Sequence, residues 1–374
     1  MSQAPSPGDR PLFDAMTEWL RAEGDCADVV MSSRVRLARN LAGHPFCTRA
    51  NRRDRLLTLD ACRDCVLKAG LADRFVWCDV HDASPLERMM LVERHLISKQ
   101  LSKGRTLIHG GGEDPRGVAI ALPDERLSIM VNEEDHLRLQ VIRSGLALGA
   151  AWRQIDEVDD RIEAGVDYAF SPRFGYLTAC PTNVGTGLRM SVMLHLPGLR
   201  LMRELEKVKR AAADMGLAVR GFYGEGSDAV GDFFQLSNQT TLGRSEAQIL
   251  ADTEQKVVPP IVEYERRSRR DLLQSRRLGL EDQVMRAWGM LCNARLLATE
   301  EAMQALSLVR LGVLLSIIQD RTGRAIDVRL VNQLTLLVQP AHLQRAVGRE
   351  LDQEQRKVAR ATFIRTRLAA IAGT

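Results

Sequence analysis

Short apolar segments joined by turns too brief for a crossover constrain this 374-residue chain more than any other feature. Residues 117–122 and 127–131 read as strands linked only by Pro123-Asp-Glu-Arg126. Parallel strands need a connection of roughly a dozen residues or more, so such a pair is antiparallel. Further strand pairs are expected at 168–170 with 176–180 and at 218–223 with 233–237, and single strands at 29–36 and 75–80. Hairpins following hairpins imply an antiparallel sheet wrapped by helices, an α+β fold and not a doubly wound one.

Helical patterning is expected over 11–23, 51–70, 85–97, 145–164 and 197–215. From about residue 245 the chain changes to long charged helical periods, with Pro259–Pro260 expected to interrupt the first. A boundary near residue 255 divides an α+β part, 1–255, from a helical C-terminal part, 256–374.

Hydrophobic residues at 45% and charged residues at 27% exclude disordered, collagen-like and disulfide-scaffold classes. Lys+Arg 52 against Asp+Glu 48 leaves +4, too little for a chain built chiefly to coat nucleic acid. Lys stands at only seven positions, so one isolated Arg says little here. The first residues lack a signal peptide's basic and apolar regions, and no stretch reaches the roughly 18–20 apolar residues of a membrane helix. With seven Cys and no secretory signal, reduced thiols and a cytoplasmic location are expected.

Cys62, Cys65, Cys78 and His81 form C-x2-C-x12-C-x2-H, close to zinc-ligand spacing. No Gly or Pro knuckle surrounds either pair. The favoured reading is a helix with Cys62 and Cys65 one turn apart on its apolar face, and Cys78 in a strand.

The sequence carries no G-x-x-x-x-G-K-[ST], no G-x-G-x-x-G, no protein-kinase set and no G-x-S-x-G. Phosphoryl chemistry would need another scaffold. Four clusters remain. Ser32-Ser-Arg-Val-Arg36 puts two arginines on one side of an extended segment. Asn132-Glu-Glu-Asp-His136 is an acidic turn with Arg138 just beyond it. Cys180-Pro-Thr-Asn-Val-Gly-Thr-Gly-Leu-Arg189 is a small-residue loop between a thiol and an Arg, and Arg220-Gly-Phe-Tyr-Gly-Glu225 couples Arg and Glu at a strand end. Singly, these read as a solvated turn, a buried small Cys and surface arginines. Together, several arginines at strand ends suit a triphosphate, because guanidinium holds phosphate through forked, charge-assisted hydrogen bonds. Two carboxylates from separate elements suit a cationic acceptor.

In this order the clusters resemble the ATP:guanido phosphotransferase family, the arginine and creatine kinases. The similarity is closer to its bacterial branch, the protein-arginine kinases. It runs through Ser32-Ser-Arg-Val-Arg-Leu-Ala-Arg-Asn40, Leu91-Val-Glu-Arg-His-Leu-Ile-Ser98, Cys180–Arg189, Phe234-Gln-Leu-Ser-Asn-Gln239 and Gln339-Pro-Ala-His-Leu-Gln344. Metabolic guanidino kinases carry a helical domain before the S-x-R-V-R motif. Here that motif begins at Ser32 and the additional helices follow the catalytic part, a layout that fits a kinase for protein-bound arginine.

The resemblance implies transfer of the γ-phosphate of Mg-ATP to arginine guanidinium groups in proteins, giving phosphoarginine. A free guanidino metabolite such as L-arginine is the alternative acceptor, and a catalytically weak adaptor the alternative of another class. Glu134 and Glu225 match the carboxylates that bracket the guanidinium, one of them the general base. Cys180 matches the reactive cysteine whose thiolate would stabilise the guanidinium. Glu133 would help hold Mg2+ through water. Arg34, Arg36, Arg138, Arg189 and Arg220 match the nucleotide-phosphate arginines, and His95 a nucleotide-contacting position. Ser32, Ser33, Val35, Met190, Ser191, Val192, Met193, Gly221, Phe222, Tyr223 and Gly224 complete the expected ATP-binding segments.

One departure stands out. The bacterial branch carries R-D-x-x-R-A, which forms a phosphoarginine pocket used in regulation. This chain has Arg356-Lys-Val-Ala-Arg-Ala361, with Lys357 in place of the acid. Arg356 and Arg360 stay as candidates for such a pocket beside a plainer reading, a solvated basic helix. Partners implied by the resemblance are protein substrates with exposed arginines, a heat-shock repressor among them, a zinc-binding activator protein, the Clp chaperone–protease and a second copy of the chain.

Overall fold

The structure, a computed structural model, describes residues 16–104, 113–222, 230–320 and 322–372. In chain order it forms β1 (Val30–Arg39), α1 (Arg52–Lys68), β2 (Phe75–Asp79), α2 (Pro85–Glu93), α3 (Lys99–Lys103), β3 (Gly117–Ala121) and β4 (Leu127–Val131). There follow β5 (Leu137–Ser144), α4 (Leu148–Glu163), β6 (Phe170–Ser171), β7 (Gly175–Tyr176), β8 (Leu188–His195), α5 (Pro197–Leu201) and α6 (Leu205–Asp214). Strands β9 (Leu217–Arg220) and β10 (Phe233–Asn238) precede the helices α7 (Glu246–Ala251), α8 (Val258–Ser275) and α9 (Arg277–Asn293). The chain ends in α10 (Thr299–Leu314), α11 (Val328–Leu337), α12 (Pro340–Val347) and α13 (Gln353–Ala372).

Eight strands make one sheet in the order β2-β3-β4-β5-β1-β8-β10-β9, each neighbour antiparallel. The α+β architecture implied by the hairpins is therefore the architecture found. Two of its strands escape the sequence reading. Leu137, Leu139 and Val141 on β5 and Leu188, Met190, Val192 and Leu194 on β8 alternate as half-buried strands do. Charged and small-residue motifs at their starts mask that period.

Elsewhere the differences have local causes. No helix spans 11–23: a 3-10 turn, Glu18–Leu20, buries Trp19 and Leu20, and residues 11–15 lie outside the described residues. The helix expected over 85–97 stops at Glu93, because His95 takes a left-handed backbone, φ 61°. The one expected over 197–215 splits into α5 and α6 around Arg203, which has the same conformation. The hairpin near 170 is shorter than expected, and Cys180 lies beyond it at the start of a 3-10 turn, Pro181–Asn183. Pro259 and Pro260 do not break their helix. They occupy the first turn of α8, after a π-helical run, Asp252–Val257, that absorbs the two missing backbone donors. Residue 255 lies inside that continuous helical run.

One face of the sheet packs on α1, α4 and α8 through a core that includes Val35, Leu139, Met190, Val192, Ile155 and Val262. The other face is divided. Val118, Ile120 and Met130 pack beneath α2 and α3, and Met31, Ile142, Met193 and Phe233 join the core of the C-terminal helices. Between these two covers runs a polar strip. Arg310 of α10 ties the C-terminal helices to the start of β1 and the end of β8, donating to the Ala27 and Asp28 carbonyls and to His195 Nδ1, and to Asn332 Oδ1 of α11.

Candidate active site

Strand register assembles the site. Arg34 on β1 lies opposite Ser191 on β8, and Arg36 lies opposite both Arg189 on β8 and Gln140 on β5. Directly opposed residues share a face, and residues two apart on one strand share it too. Arg34, Arg36, Arg138, Gln140, Arg189 and Ser191 therefore point the same way. Beyond β8, Gln235 of β10 lies opposite Met193 and Arg220. All five expected arginines line one cleft of about 750 Å³, with His95, Ser98, Glu133, Glu134 and Cys180 on its walls. A smaller cavity of about 20 Å³ adjoins it beneath Trp19, lined by Ser32, Ser191 and Met193.

Alternation also decides what does not reach the cleft. Val35, Met190 and Val192 point to the opposite face, into the core. Ser33 Oγ donates to the Gly145 carbonyl at 2.8 Å. The expected ATP-binding segments thus contribute every second side chain, because a strand shows only half its residues to either face.

The acidic turn alternates structural and cleft-facing residues. Asn132 takes a left-handed backbone, φ 60°, and its side-chain amide donates to the carbonyls of Arg55 (2.7 Å) and Pro115 (3.0 Å). Asp135 accepts from Asn40 Nδ2 and from the Ala179 backbone N–H, both at 2.7 Å, which pins the approach to Cys180. His136 accepts from the Leu41 N–H and donates to the Pro45 carbonyl, and burial lowers its pKa to about 4. With these three facing inward, Glu133 and Glu134 are left to the cleft.

Glu133 is buried, bonded to the Ser98 hydroxyl and ion-paired with Arg138. Glu134 is half-buried, 3.7 Å from Arg138 Nη2, and hydrogen-bonded by the Cys180 thiol. Its burial, reinforced by Asp135 and Glu133, raises its pKa above the ordinary carboxylate value despite Arg138. Cys180 Sγ also lies 3.0 Å from Thr182 Oγ1. The arginines show the opposite strain. Loss of solvent together with Arg138, Arg189 and Arg220 lowers Arg34 to about 10, and loss of solvent together with Arg34, Arg138 and Arg189 holds Arg36 well below its usual value. Burial pulls on Arg138 too, but Glu133, Glu134 and Asp135 hold it above its ordinary value. The cleft thus has a crowded cationic wall facing a carboxylate and thiol corner.

Residues 63–268 match the ATP:guanido phosphotransferase C-terminal catalytic domain, and residues 277–374 match the protein-arginine kinase McsB C-terminal domain. The chain belongs to the ATP:guanido phosphotransferase family. A protein-arginine kinase of Symbiobacterium thermophilum is 46% identical over 360 residues, covering 95% of this chain and 98% of that protein. One from Bacillus subtilis is 42% identical over 359 residues, covering 96% and 94%. Among solved structures, lombricine kinase is similar with a TM-score of 0.53 and 25% identity over 66% of this chain and 68% of its own. The duplicated taurocyamine kinase from Schistosoma mansoni with bound transition state analog components gives 0.54 and 25% over 64% of this chain, which spans 33% of that longer protein.

Within this phosphotransferase, sequence reasoning missed Ser98, Gln140 and Gln235 as cleft-lining residues. Ser98 and Gln235 stand inside the family-like segments Leu91–Ser98 and Phe234–Gln239 without a role of their own, and Gln140 follows Arg138 by two on a strand not seen as one. Gly221 and Phe222 are described, and the buried Phe222 ring packs 5.2 Å from the His95 ring and 6.1 Å from Trp19. Tyr223, Gly224 and Glu225 lie outside the described residues.

The cysteines do not converge. Cys62 is packed in the core under α1, where burial pushes its thiol up, and Cys65 donates to the Ile162 carbonyl at 3.4 Å. Cys78 faces the core on the other side of the sheet. On α13, Arg360 is buried and donates to the carbonyls of Val338 and Leu297, both at 2.8 Å, and Arg356 donates to the Leu351 carbonyl at 2.7 Å. Arg360 is thus a structural clamp on helix ends, not part of a solvated basic face. Lys357 pairs with Glu354 at 2.7 Å.

Proposed function

We propose that the chain transfers the γ-phosphate of ATP to the guanidinium of arginine residues in proteins. The observation that supports it most is the joining of five arginines to Glu134 and Cys180 in one cleft. The cationic wall suits a polyphosphate, whose charge would offset the burial and the mutual repulsion that lower Arg34 and Arg36. The carboxylate and thiol corner suits a cationic acceptor. Relatives named protein-arginine kinase, alike over nearly the whole chain, favour protein-bound arginine over a free metabolite.

A guanidinium, with a pKa above 12, is a poor nucleophile until a proton leaves it. Glu134, its basicity raised by burial, takes that proton as the guanidino nitrogen attacks the γ-phosphorus. The bond between the γ-phosphorus and its bridging oxygen breaks, and ADP leaves with the bond pair. Arg34, Arg36, Arg138, Arg189 and Arg220 offset charge on the nucleotide and on the metaphosphate-like transition state. Cys180 borders the guanidinium, Glu225 would be its second carboxylate by resemblance alone, and His95 borders the nucleotide. Glu133, a hard oxygen donor beside the arginine wall, would hold Mg2+ through water, and the ion would supply charge neutralisation of the phosphates.

The α+β part up to about residue 255 carries this chemistry, and the C-terminal helices serve regulation or self-association. No helix among the described residues is long and apolar enough to cross a membrane, and a cytoplasmic site of action is part of this reading. So are a zinc-binding activator, a heat-shock repressor as substrate, a homodimer, and the Clp chaperone–protease as consumer of the marked protein.

The test incubates the protein with Mg-ATP and an unfolded protein, and maps phosphorylation under conditions that preserve acid-labile P–N bonds. Phosphoarginine on the protein, absent with Glu134→Gln, supports the reading. Label only on free L-arginine would move the activity to a metabolite, and no transfer to either would favour an adaptor or a missing activator.

A further inference from the structure

We propose that Glu93 is a positioning residue for the nucleotide side of the cleft, holding His95 in place from the C-terminal helices. This rests on the phosphotransferase reading above. Three consecutive residues end α2, and each is engaged differently. Glu93, 3% exposed, accepts from the backbone N–H of Ala341 (2.8 Å) and of His342 (3.0 Å) at the start of α12, and from His342 Nδ1 (2.7 Å). Arg94 Nε donates to both oxygens of Glu125 at 3.0 and 2.9 Å, and its Nη1 to His342 Nε2 at 3.4 Å. His95 then turns left-handed, φ 61°, and sets its ring in the cleft wall, 5.0 Å from Trp19 and 5.2 Å from Phe222.

A non-glycine residue in that conformation persists where its surroundings over-determine it. The helix end itself closes on the left-handed turn, with the His95 N–H donating to the Val92 carbonyl and the Leu96 N–H to the Leu91 carbonyl, both at 2.9 Å, and tertiary contacts from two sides add to it. Gln140 Nε2 of β5 donates to the His95 carbonyl at 2.7 Å, and α12 holds the preceding two residues through Glu93 and His342. A buried carboxylate at a helix start satisfies orphan N–H groups and meets the positive end of the helix, so α12 and α2 behave as one joined element. The stretch Gln339-Pro-Ala-His-Leu-Gln344, which no step of phosphoryl transfer uses, thereby sets a wall of the cleft.

Glu265 supplies a matched control. It is buried, accepts from the Gly198 and Leu199 N–H groups at 2.9 Å and from Arg269 Nε at 2.7 Å, and lines no part of the cleft. The experiment measures Mg-ATP affinity by calorimetry, steady-state kinetics and thermal stability for the full chain and for Glu93→Gln, His342→Gln and Glu265→Gln. Glu93→Gln is expected to weaken ATP binding and raise its KM about tenfold, with the KM for the protein acceptor unchanged. His342→Gln, whose amide can still donate to Glu93, is expected to keep nearly the wild-type KM. Glu265→Gln is expected to lose stability but keep its ATP affinity. Unchanged ATP affinity in Glu93→Gln, or the same loss in Glu265→Gln, overturns the proposal. Should Glu93→Gln fail to fold, His342→Leu removes the side-chain ties to Glu93 and Arg94 and leaves the backbone ones: a raised ATP KM supports the proposal and an unchanged one overturns it. A wild-type chain that binds no ATP sinks the phosphotransferase reading, and this inference with it.

Discussion

Replacing Arg34 with Met is expected to stabilise the nucleotide-free protein while disabling it. Arg34 sits among Arg138, Arg189 and Arg220, and its pKa falls from 12.5 to about 10, chiefly because it has lost solvent. At roughly 1.4 kcal/mol per unit, that shift is about 3 kcal/mol against the charged form in the folded state. Its proton is held less tightly folded than unfolded. The penalty is therefore full at neutral pH and fades only as pH rises through about 10 towards 12.5. Met keeps the apolar stem and removes the charge. Water in the open cleft screens part of the repulsion, so about 3 kcal/mol is an upper bound. The assay is urea unfolding with and without Mg-ATP, beside a phosphotransfer assay. Nucleotide at a hundredfold its Kd adds about 2.7 kcal/mol to wild type. The variant should lose most of that gain and about a hundredfold or more in transfer rate. A variant less stable than wild type without nucleotide, or one that keeps its ATP-dependent gain, would refute the idea that the arginines are held in mutual repulsion for a polyphosphate.

Three further outcomes are expected. Glu134→Gln should cut kcat by about 10²–10⁴. It should also remove the acid limb of the pH–rate profile, whose midpoint in wild type lies above the ordinary carboxylate value of 4.5 because burial favours the protonated form; a limb surviving in the variant would assign the base elsewhere. Gly187→Ala should destabilise by about 1–2 kcal/mol or more in a thermal melt, since φ is +66° and a Cβ would lie 2.6 Å from the Ala38 carbonyl oxygen. Arg55→Met should cost about 3–5 kcal/mol in urea unfolding, because it leaves Asp114 buried without its ion pair and the Asn132 carbonyl without its donor at the root of the acidic turn; a neutral result would show that this pair does not support the turn.

The site was legible where it is built from runs of chain. Ser32–Arg36 declares its face by period two, and Asn132–His136 declares an acidic turn. What those runs do not show is division of labour. Asn132, Asp135 and His136 look as chemical as Glu133 and Glu134, yet they spend their polar atoms on Arg55, Pro115, Asn40, Ala179, Leu41 and Pro45. Arg360, a candidate phosphate ligand by resemblance, likewise spends its donors on two carbonyls. A polar residue's partner is a tertiary fact, and so is its availability for chemistry.

Local patterning along the chain is enough to set the α+β class, the antiparallel pairing of short hairpins, the helical character of the last hundred or so residues and the residue types able to meet phosphate and guanidinium. These follow from local periodicity and from turn length, which act over a few residues. That arginines from β1, β5, β8 and β9 share one wall follows from the folded sheet, because register across strands depends on pairing between segments far apart in the chain. The tertiary structure alone joined Glu93 to Ala341, 248 residues away, and so placed the end of α2 in contact with the C-terminal helices. Burial did the rest. Taking Arg34, Arg36 and Glu134 out of water lowered the proton affinity of the two arginines and raised that of the carboxylate, an effect of surroundings that no list of residue types contains.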